Sequence, residues 1–430
     1  MELTFMKFAF FFVIFSAFII HNVNAKPLHS IKLIKRGSSR NMDSMEYAKY
    51  LRDSAMNKYK YSKEVMKKSC SKSSNNNKSS SKSKSNKGNS KVLSKNKQST
   101  IDLKDIQFDD AYFGAITIGN QNFNILMDTG SSDLFVPNTN CTSPACRNHN
   151  SFDVKKSKTF KKEGNPWNVT FGTGSASGVT GIDNVKIGAF TAENMIFGLT
   201  DNLSDDFINL ESDGILGMAF DRLNTLDNQA PTLITTLINQ KKINPLFSFH
   251  LSRISNFNDQ GTLTIGGVDN TKFQGKITFN PVIKTSIVNA IAFWLINVDD
   301  ASVNKKSLNF KGRNAIIDTG TSTIILPDND AAKIHSQIPG AVLDTNANMF
   351  VIPCNTTSTV AFKFGGVDFN INPKDLLLGP VDGQNCVSAI VPGFNFDGKN
   401  LTWLVGVPFL KNVYSVFKVD NPAVGFARNK

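Results

Sequence analysis

Ile125-Leu126-Met127-Asp128-Thr129-Gly130-Ser131-Ser132 and Ala315-Ile316-Ile317-Asp318-Thr319-Gly320-Thr321-Ser322 are two copies of one pattern. Three apolar residues lead to Asp-Thr-Gly, then a hydroxyl residue and a serine. One Asp-Thr-Gly alone is an ordinary turn signal, since Asp and Gly both favour turns. Two copies say more, because a second pattern repeats with them. Ile215-Leu216-Gly217 places its glycine 89 residues after Asp128, and Leu404-Val405-Gly406 places its glycine 88 residues after Asp318. Landmarks at nearly equal offsets predict two structurally similar lobes.

Each apolar triplet reads as a buried strand that delivers its Asp to a turn. Gly130 and Gly320 are expected to let the backbone bend there. Thr129 and Thr319 offer hydroxyls able to lock one turn against the other, and Ser131 and Thr321 are spaced to bond the outer carboxylate oxygens. If the lobes face each other, the two carboxyls approach. Like charges at short distance do not both ionise easily, so the pair holds one proton between them. The ionised member then accepts a proton from water while the protonated member polarises a carbonyl.

Around these motifs the pattern is that of a mostly β protein. Short apolar runs alternate with Gly, Asn and Asp turns: YFGAITIG (112–119), FNILMDTG (123–130), WNVTFGTGS (167–175), VKIGAF (185–190), GTLTIGG (261–267), SVFKVD (415–420) and AVGFA (423–427). Helical spacing is confined to three stretches. MDSMEYAKYLRDSAM (42–56) can gather Met45, Tyr47, Ala48, Tyr50 and Leu51 on one face; LITTLINQ (233–240) and DNDAAKIHSQI (328–338) follow, the latter with Asp328 or Asn329 as cap.

The chain has 430 residues, enough for two or three folded units. Its formal charge of +13 is unevenly spread. Residues 26–100 hold 20 Lys+Arg against 4 Asp+Glu, whereas residues 101–430 hold 27 against 30. The mildly acidic bulk argues against a nucleic-acid-binding catalytic part. Residues 8–20 form an unbroken apolar run too short to cross a ~30 Å hydrocarbon layer. With Val23-Asn24-Ala25 behind it, the run reads as a signal peptide over 1–25, so no stable membrane span is expected after its removal. Residues 69–100 are Ser, Lys and Asn with almost nothing apolar and are expected to lack structure.

A secretory route favours disulfides. Among Cys141, Cys146, Cys354 and Cys386 three pairings are possible, and local pairing is the economical one; Cys70 is the odd cysteine. The five histidines (21, 29, 149, 250 and 335) form no His-Glu-x-x-His and no close pair, so no zinc site is expected. No Gly-x-Ser-x-Gly occurs, and no phosphate loop.

From about Ile101 to Lys430 the chain resembles the pepsin family (A1) of aspartic proteases. The likeness rests on DDAYFGAITIGNQNFNILMDTGSSDLFVP, DGILGMAF and WLVGVPFLKNVYSVFKVDNPAVGFA. It implies a bilobal, mostly β fold with a central cleft, a first catalytic lobe over 101–283 and a second over 284–430. It implies Asp128 and Asp318 as the catalytic pair, supported by Thr129, Gly130, Ser131, Thr319, Gly320 and Thr321. VTFGTGSASG resembles the family's flap, which assigns Phe171, Gly172 and Thr173 to a hairpin over the substrate, with Phe135 and Ile215 beside it. The family's disulfides match Cys141–Cys146 and Cys354–Cys386.

The resemblance further implies a zymogen that cleaves between apolar residues of protein or peptide substrates at acidic pH. It implies no cofactor and a monomer, secreted or held in an acidic vesicle or vacuole. LIKRGSSR (33–40) resembles the start of a family propeptide, so 26–100 is expected to be a basic propeptide with a linker. One of Lys58, Lys60 or Lys63 is expected to pair with the carboxylates. The Ser/Lys/Asn insert and the Phe-, Asn- and Ile-rich composition resemble malaria-parasite plasmepsins of the VI or VIII type. A catalytically weak or inactive peptide-binding relative is the alternative. Three departures stand out. Phe171 replaces the usual flap Tyr, Phe135 replaces the Trp that often bonds that Tyr, and Val407 stands where Asp is frequent. The first two remove donor and acceptor together and predict an apolar, more mobile flap; the third predicts an altered pH profile.

Overall fold

In the computed structural model, residues 42–73, 97–106, 111–171, 174–208, 210–253, 255 and 259–430 are described. The expected signal peptide, the LIKRGSSR stretch, residues 74–96 and the flap-tip residues Gly172 and Thr173 lie outside them.

The first described element is a long helix, α1 (Ser44–Ser73). Asp43 starts it: its carboxylate accepts the Glu46 N–H at 2.8 Å, satisfying an otherwise unpaired helix-end donor. One stripe of α1 is buried: Tyr47, Ala48, Leu51, Ala55, Lys58, Tyr59, Ser62 and Met66. Steps of three and four residues keep these on one face. Met45 and Tyr50, expected on that face, are half-buried at its margin. The helix reaches Ser73, so residues 69–73 are helical, against the expectation that structure is lost at 69.

Two shorter helices lie near their expected places. Thr232 caps Leu233–Asn239 by accepting the Thr235 N–H. The helix Asp328–His335 ends earlier than expected and has no side-chain cap, because Pro327 occupies the capping position. Asp328 is inside the first turn. Asp330, also in that turn, is buried and takes bonds from Arg313 and Trp403.

Strands build the rest, in two matching sets. In the first, Ala111–Ile118 pairs antiparallel with Gln121–Asp128, which runs parallel to Gly214–Gly217. Gly214–Gly217 is antiparallel to Leu134–Pro137, which is parallel to Phe190–Leu203. In the second, Leu295–Val298 pairs antiparallel with Arg313–Ile317, which runs parallel to Thr402–Val405. Thr402–Val405 is antiparallel to Ile324–Leu326, which is parallel to Ile390–Pro392. The order and sense of all five strands coincide, and the mostly β, two-lobed architecture follows from this repetition. It also explains the equal offsets: Asp128 is in register with Gly217, and Ile317 with Val405.

The lobes share a sheet at their base. Ser99–Ile106 pairs with Gly261–Ile265, which pairs with Leu246–His250. Against these lie the C-terminal strands Val413–Lys418 and Ala423–Asn429, the latter also pairing with Phe273–Pro281. Strands from beyond residue 400 thus complete a sheet begun before residue 283.

Candidate active site

The two Asp-Thr-Gly turns meet at the centre of the molecule. Thr129 and Thr319 interlock them reciprocally. The Thr129 N–H donates to Thr319 Oγ1 at 3.0 Å, and the Thr319 N–H donates to Thr129 Oγ1 at 2.9 Å. Each hydroxyl then donates across the interface, Thr129 to the Ile317 carbonyl at 3.0 Å and Thr319 to the Met127 carbonyl at 2.7 Å. All four groups are buried, so each bond also prevents an unsatisfied polar atom.

This lock brings Asp128 and Asp318, 2% and 0% exposed, face to face. Each carboxylate accepts the N–H of the glycine two residues on, Gly130 and Gly320, at 2.9 Å. Ser131 donates to Asp128 Oδ2, and Thr321 to Asp318 Oδ2 at 2.6 Å. The glycines are needed for space more than for bending, since neither adopts positive φ. A Cβ on Gly130 would lie 2.5 Å from the Asp318 carboxyl group, and one on Gly320 would lie 2.2 Å from Asp128 Oδ1.

α1 fills the cleft above the pair. Of the three candidate lysines, the structure brings Lys58 to the carboxylates: its Nζ lies 2.8 Å from Asp128 Oδ1 and 3.0 Å from Asp318 Oδ2. Lys60 is exposed and Lys63 half-buried. The Tyr59 hydroxyl donates to Asp318 Oδ2 at 2.9 Å, and its ring packs among Phe293, Phe394 and Phe396. Sequence reasoning did not find Tyr59. It left Lys58 unresolved, although Lys58 continues the stripe Tyr47, Leu51, Ala55 that the other two lysines leave.

One cation between two carboxylates leaves room for one retained proton. Burial pushes both carboxyls up. For Asp318, the Lys58 charge and hydrogen bonds from Asp128 and Thr321 outweigh burial and bring it down to about 2. For Asp128, burial and the neighbouring Asp318 charge prevail over Lys58, and it stays raised. Burial lowers Lys58, but the two carboxylate charges outweigh it and hold the ammonium protonated. The charged ammonium thus faces two unequal carboxyls, Asp318 the more acidic and Asp128 the less.

A hairpin of Lys161–Phe171 and Gly174–Ile187 covers the Asp128 side. Phe171 stacks on Phe135, with ring centres 5.3 Å apart, and with Ile215 and Asp128 it lines the gap between α1 and the cleft wall. This contact is apolar. The indole that position 135 lacks reappears as Trp167 on the hairpin, 5.5 Å from the Phe135 ring, and its N–H donates to Thr225 Oγ1 at 2.9 Å. Thr225 in turn bonds Asp133 through its N–H and its hydroxyl, at 2.7 and 2.9 Å. Burial pushes Asp133 up to about 6, against hydrogen bonds from Thr225 and Leu226. Sequence reasoning missed Trp167, Thr225 and Asp133. The available signal was alternation, which places Trp167 on the same strand face as Phe171.

Val407 is fully buried, and its N–H donates to the Thr321 carbonyl at 2.8 Å, so the position behind the Asp318 turn carries no ionisable group. Cys141–Cys146 and Cys354–Cys386 are disulfide-bonded. Among the described residues, no group of His, Cys, Asp or Glu is placed to hold a metal ion. No described helix is long and apolar enough to cross a membrane.

Comparison with known proteins meets this geometry. The family model described as eukaryotic aspartyl protease matches residues 111–429. The aspartic-type endopeptidase ctsD of Aspergillus fumigatus is 38% identical over 332 residues, covering 76% of this chain and 68% of that protein. The probable aspartic-type endopeptidase CTSD of Arthroderma benhamiae is 37% identical over 335 residues, 77% of this chain and 64% of that one. Pepsin A of Rhinolophus ferrumequinum is 34% identical over 332 residues, 74% and 80% of the two chains. The matched stretch spans about two thirds of the two fungal relatives. These relatives are fungal and vertebrate, so the narrower likeness to plasmepsins finds no support in them. The chain belongs to the eukaryotic aspartyl protease family, the pepsin-type aspartic endopeptidases.

Proposed function

We propose that this protein is made as a secreted zymogen whose cleft is blocked by α1. Once α1 leaves, it hydrolyses protein and peptide substrates between apolar residues at acidic pH, through Asp128 and Asp318. One observation carries the reading: Lys58 Nζ sits between the two carboxylates, within 3.0 Å of each. That is the place a water must occupy to be activated by one carboxyl while the other polarises the peptide carbonyl. A buried cation there excludes both water and substrate.

With α1 gone, the pair loses its counter-charge but keeps its supports. Thr129 and Thr319 fix the separation. Gly130, Ser131, Gly320 and Thr321 hold the carboxyl planes. The shared proton makes one member base and the other acid, the established behaviour of aspartic-protease pairs. Phe171 and Ile215 supply an apolar wall for substrate side chains. Acid pH keeps the second carboxyl protonated. The family, the signal-like N-terminus and the two disulfides favour a secreted or acidic-vesicle location and a monomer needing no cofactor. The plasmepsin likeness rests on the Ser/Lys/Asn insert and the Phe-, Asn- and Ile-rich composition alone.

The test is cleavage of a denatured protein at acid pH by chain freed of the segment before residue 97, with and without pepstatin. Pepstatin-sensitive cleavage is expected, absent from Asp128→Asn and from Asp318→Asn. Cleavage that survives either substitution, or no cleavage by the freed wild-type chain, overturns the reading.

A further inference from the structure

Phe171 and Phe135 contact each other through rings alone, a contact that resists separation but permits sliding. A hairpin covering substrate needs a directional hold as well, and the structure supplies one four residues from Phe171. Resting on the peptidase reading above, we propose that Trp167, Thr225 and Asp133 anchor the hairpin above the carboxylate pair and act as positioning residues for peptide hydrolysis.

Side chains alternate along a strand, so Trp167, Val169 and Phe171 share one face. Trp167 and Val169 are each 4% exposed. Phe135 therefore sits between two rings of one strand, 5.5 Å from Trp167 and 5.3 Å from Phe171. An indole buried to this degree needs a partner for its N–H. Thr225 Oγ1 accepts it at 2.9 Å and donates its own O–H to Asp133 Oδ2 at 2.9 Å. The Thr225 N–H holds the other oxygen at 2.7 Å. Asp133 is fixed in its turn, because its carbonyl accepts the Gly217 N–H at 2.8 Å. It also stands only five residues beyond Asp128. The chain of bonds thus runs from the hairpin to the loop that carries one of the two carboxylates.

The indole has a place prepared for it. Gly198 lies beside Phe135 in the neighbouring strand, and a Cβ there would come within 2.9 Å of the Trp167 ring. The other lobe has no counterpart: five residues after Asp318 stands Thr323. The anchor belongs to the lobe that carries the hairpin.

The experiment compares freed wild-type enzyme with Thr225→Val, Thr225→Ser and Trp167→Phe on a peptide long enough to run beneath the hairpin. Thr225→Val keeps the shape and removes both hydroxyl bonds; Trp167→Phe keeps a ring and removes the donor. Breaking the chain of bonds between Trp167 and Asp133 is expected to raise KM about 10-fold in either variant, with kcat within about 3-fold of wild type. Thr225→Ser is expected to restore KM. The double variant is expected to be no worse than the poorer single one, because both cut the same chain. A purely structural defect lowers the active fraction, hence apparent kcat, and leaves KM unchanged. An active wild type whose KM is unmoved by Thr225→Val and Trp167→Phe overturns the anchor alone. So do additive effects of the two. An inactive wild type overturns the peptidase reading and the anchor with it.

Discussion

The two halves of the cleft share one backbone and differ in what surrounds it. Asp128 and Asp318 each follow a buried strand, each accept the N–H of the glycine two residues on, and each take a hydroxyl from the residue after that glycine. Seven residues on, Phe135 and Ile325 sit at matching places against Ile215 and Leu404. Yet the carboxyls differ in acidity, one raised and the other lowered to about 2. The difference teaches that local motif sets geometry while charge state is set by the pair and its neighbours. One lobe carries a hairpin and the Trp167 anchor; the other surrounds Tyr59 with phenylalanines. Equivalent turns thereby acquire unequal roles.

The largest expected break in this comparison comes from Lys58→Met. Removing the cation leaves the buried charge of the pair without its counter-ion and is expected to weaken α1 docking by about 3–5 kcal/mol. Amide exchange along α1 measures it; unchanged protection would mean Lys58 is not what holds the helix. The pH dependence has a definite sign. Asp318 is depressed, so the stability it contributes to the fold with α1 in place is present above the ordinary aspartate value of 3.8 and is lost as pH falls towards 2.

His335 sharpens the comparison from the second lobe. It is buried, stacked on Phe350, and bonded to the Ala331 carbonyl and Ser388. Burial lowers it to about 4. The unfolded chain therefore takes up this proton first. The stability present above pH 6.5 falls by roughly 3 kcal/mol as pH drops to 4. Urea unfolding at pH 7 and at pH 4.5 should show this loss in wild type and a shallower one in His335→Leu. Parallel losses would assign the slope to other groups.

Gly130→Ala and Gly320→Ala probe the symmetry directly. Each new Cβ collides with the opposite carboxyl, and a displacement near 1 Å is expected to cost about 100-fold in kcat/KM. Tolerance of one and not the other would show that the halves yield differently. The smallest effect is expected from Thr129→Val and Thr319→Val, each destabilising by about 1–3 kcal/mol. Because each hydroxyl receives the other's N–H, a double-mutant cycle should give a coupling above about 0.5 kcal/mol. Simple additivity would mean the lock is two independent contacts.

Much of this site was legible along the chain. Two apolar-Asp-Thr-Gly motifs and two later glycines at equal offsets are local patterns, and the strands at Gln121–Asp128 and Arg313–Ile317 follow from apolar runs ending in turns. The role of the glycines was legible only as permission to bend. The actual constraint, a carboxyl from the other lobe where the glycine's Cβ would be, joins Gly130 to Asp318 and Gly320 to Asp128, residues 188 and 192 apart in sequence. Trp167 escaped notice because a tryptophan in a strand is ordinary until its N–H is seen to meet Thr225. Choosing Lys58 required knowing which face of α1 is buried, and that depends on what the helix packs against.

By itself, then, the sequence determined the repeated strand-turn unit, the pair of aspartates and the basic segment ahead of them. These depend on residues close together, where propensity and periodicity act. Tertiary structure alone decided which lysine meets the carboxylates, which of the two is the more acidic, and how the hairpin is held. Those outcomes depend on burial and on distances between groups far apart in the chain, because the charge state of a buried group follows from everything brought beside it.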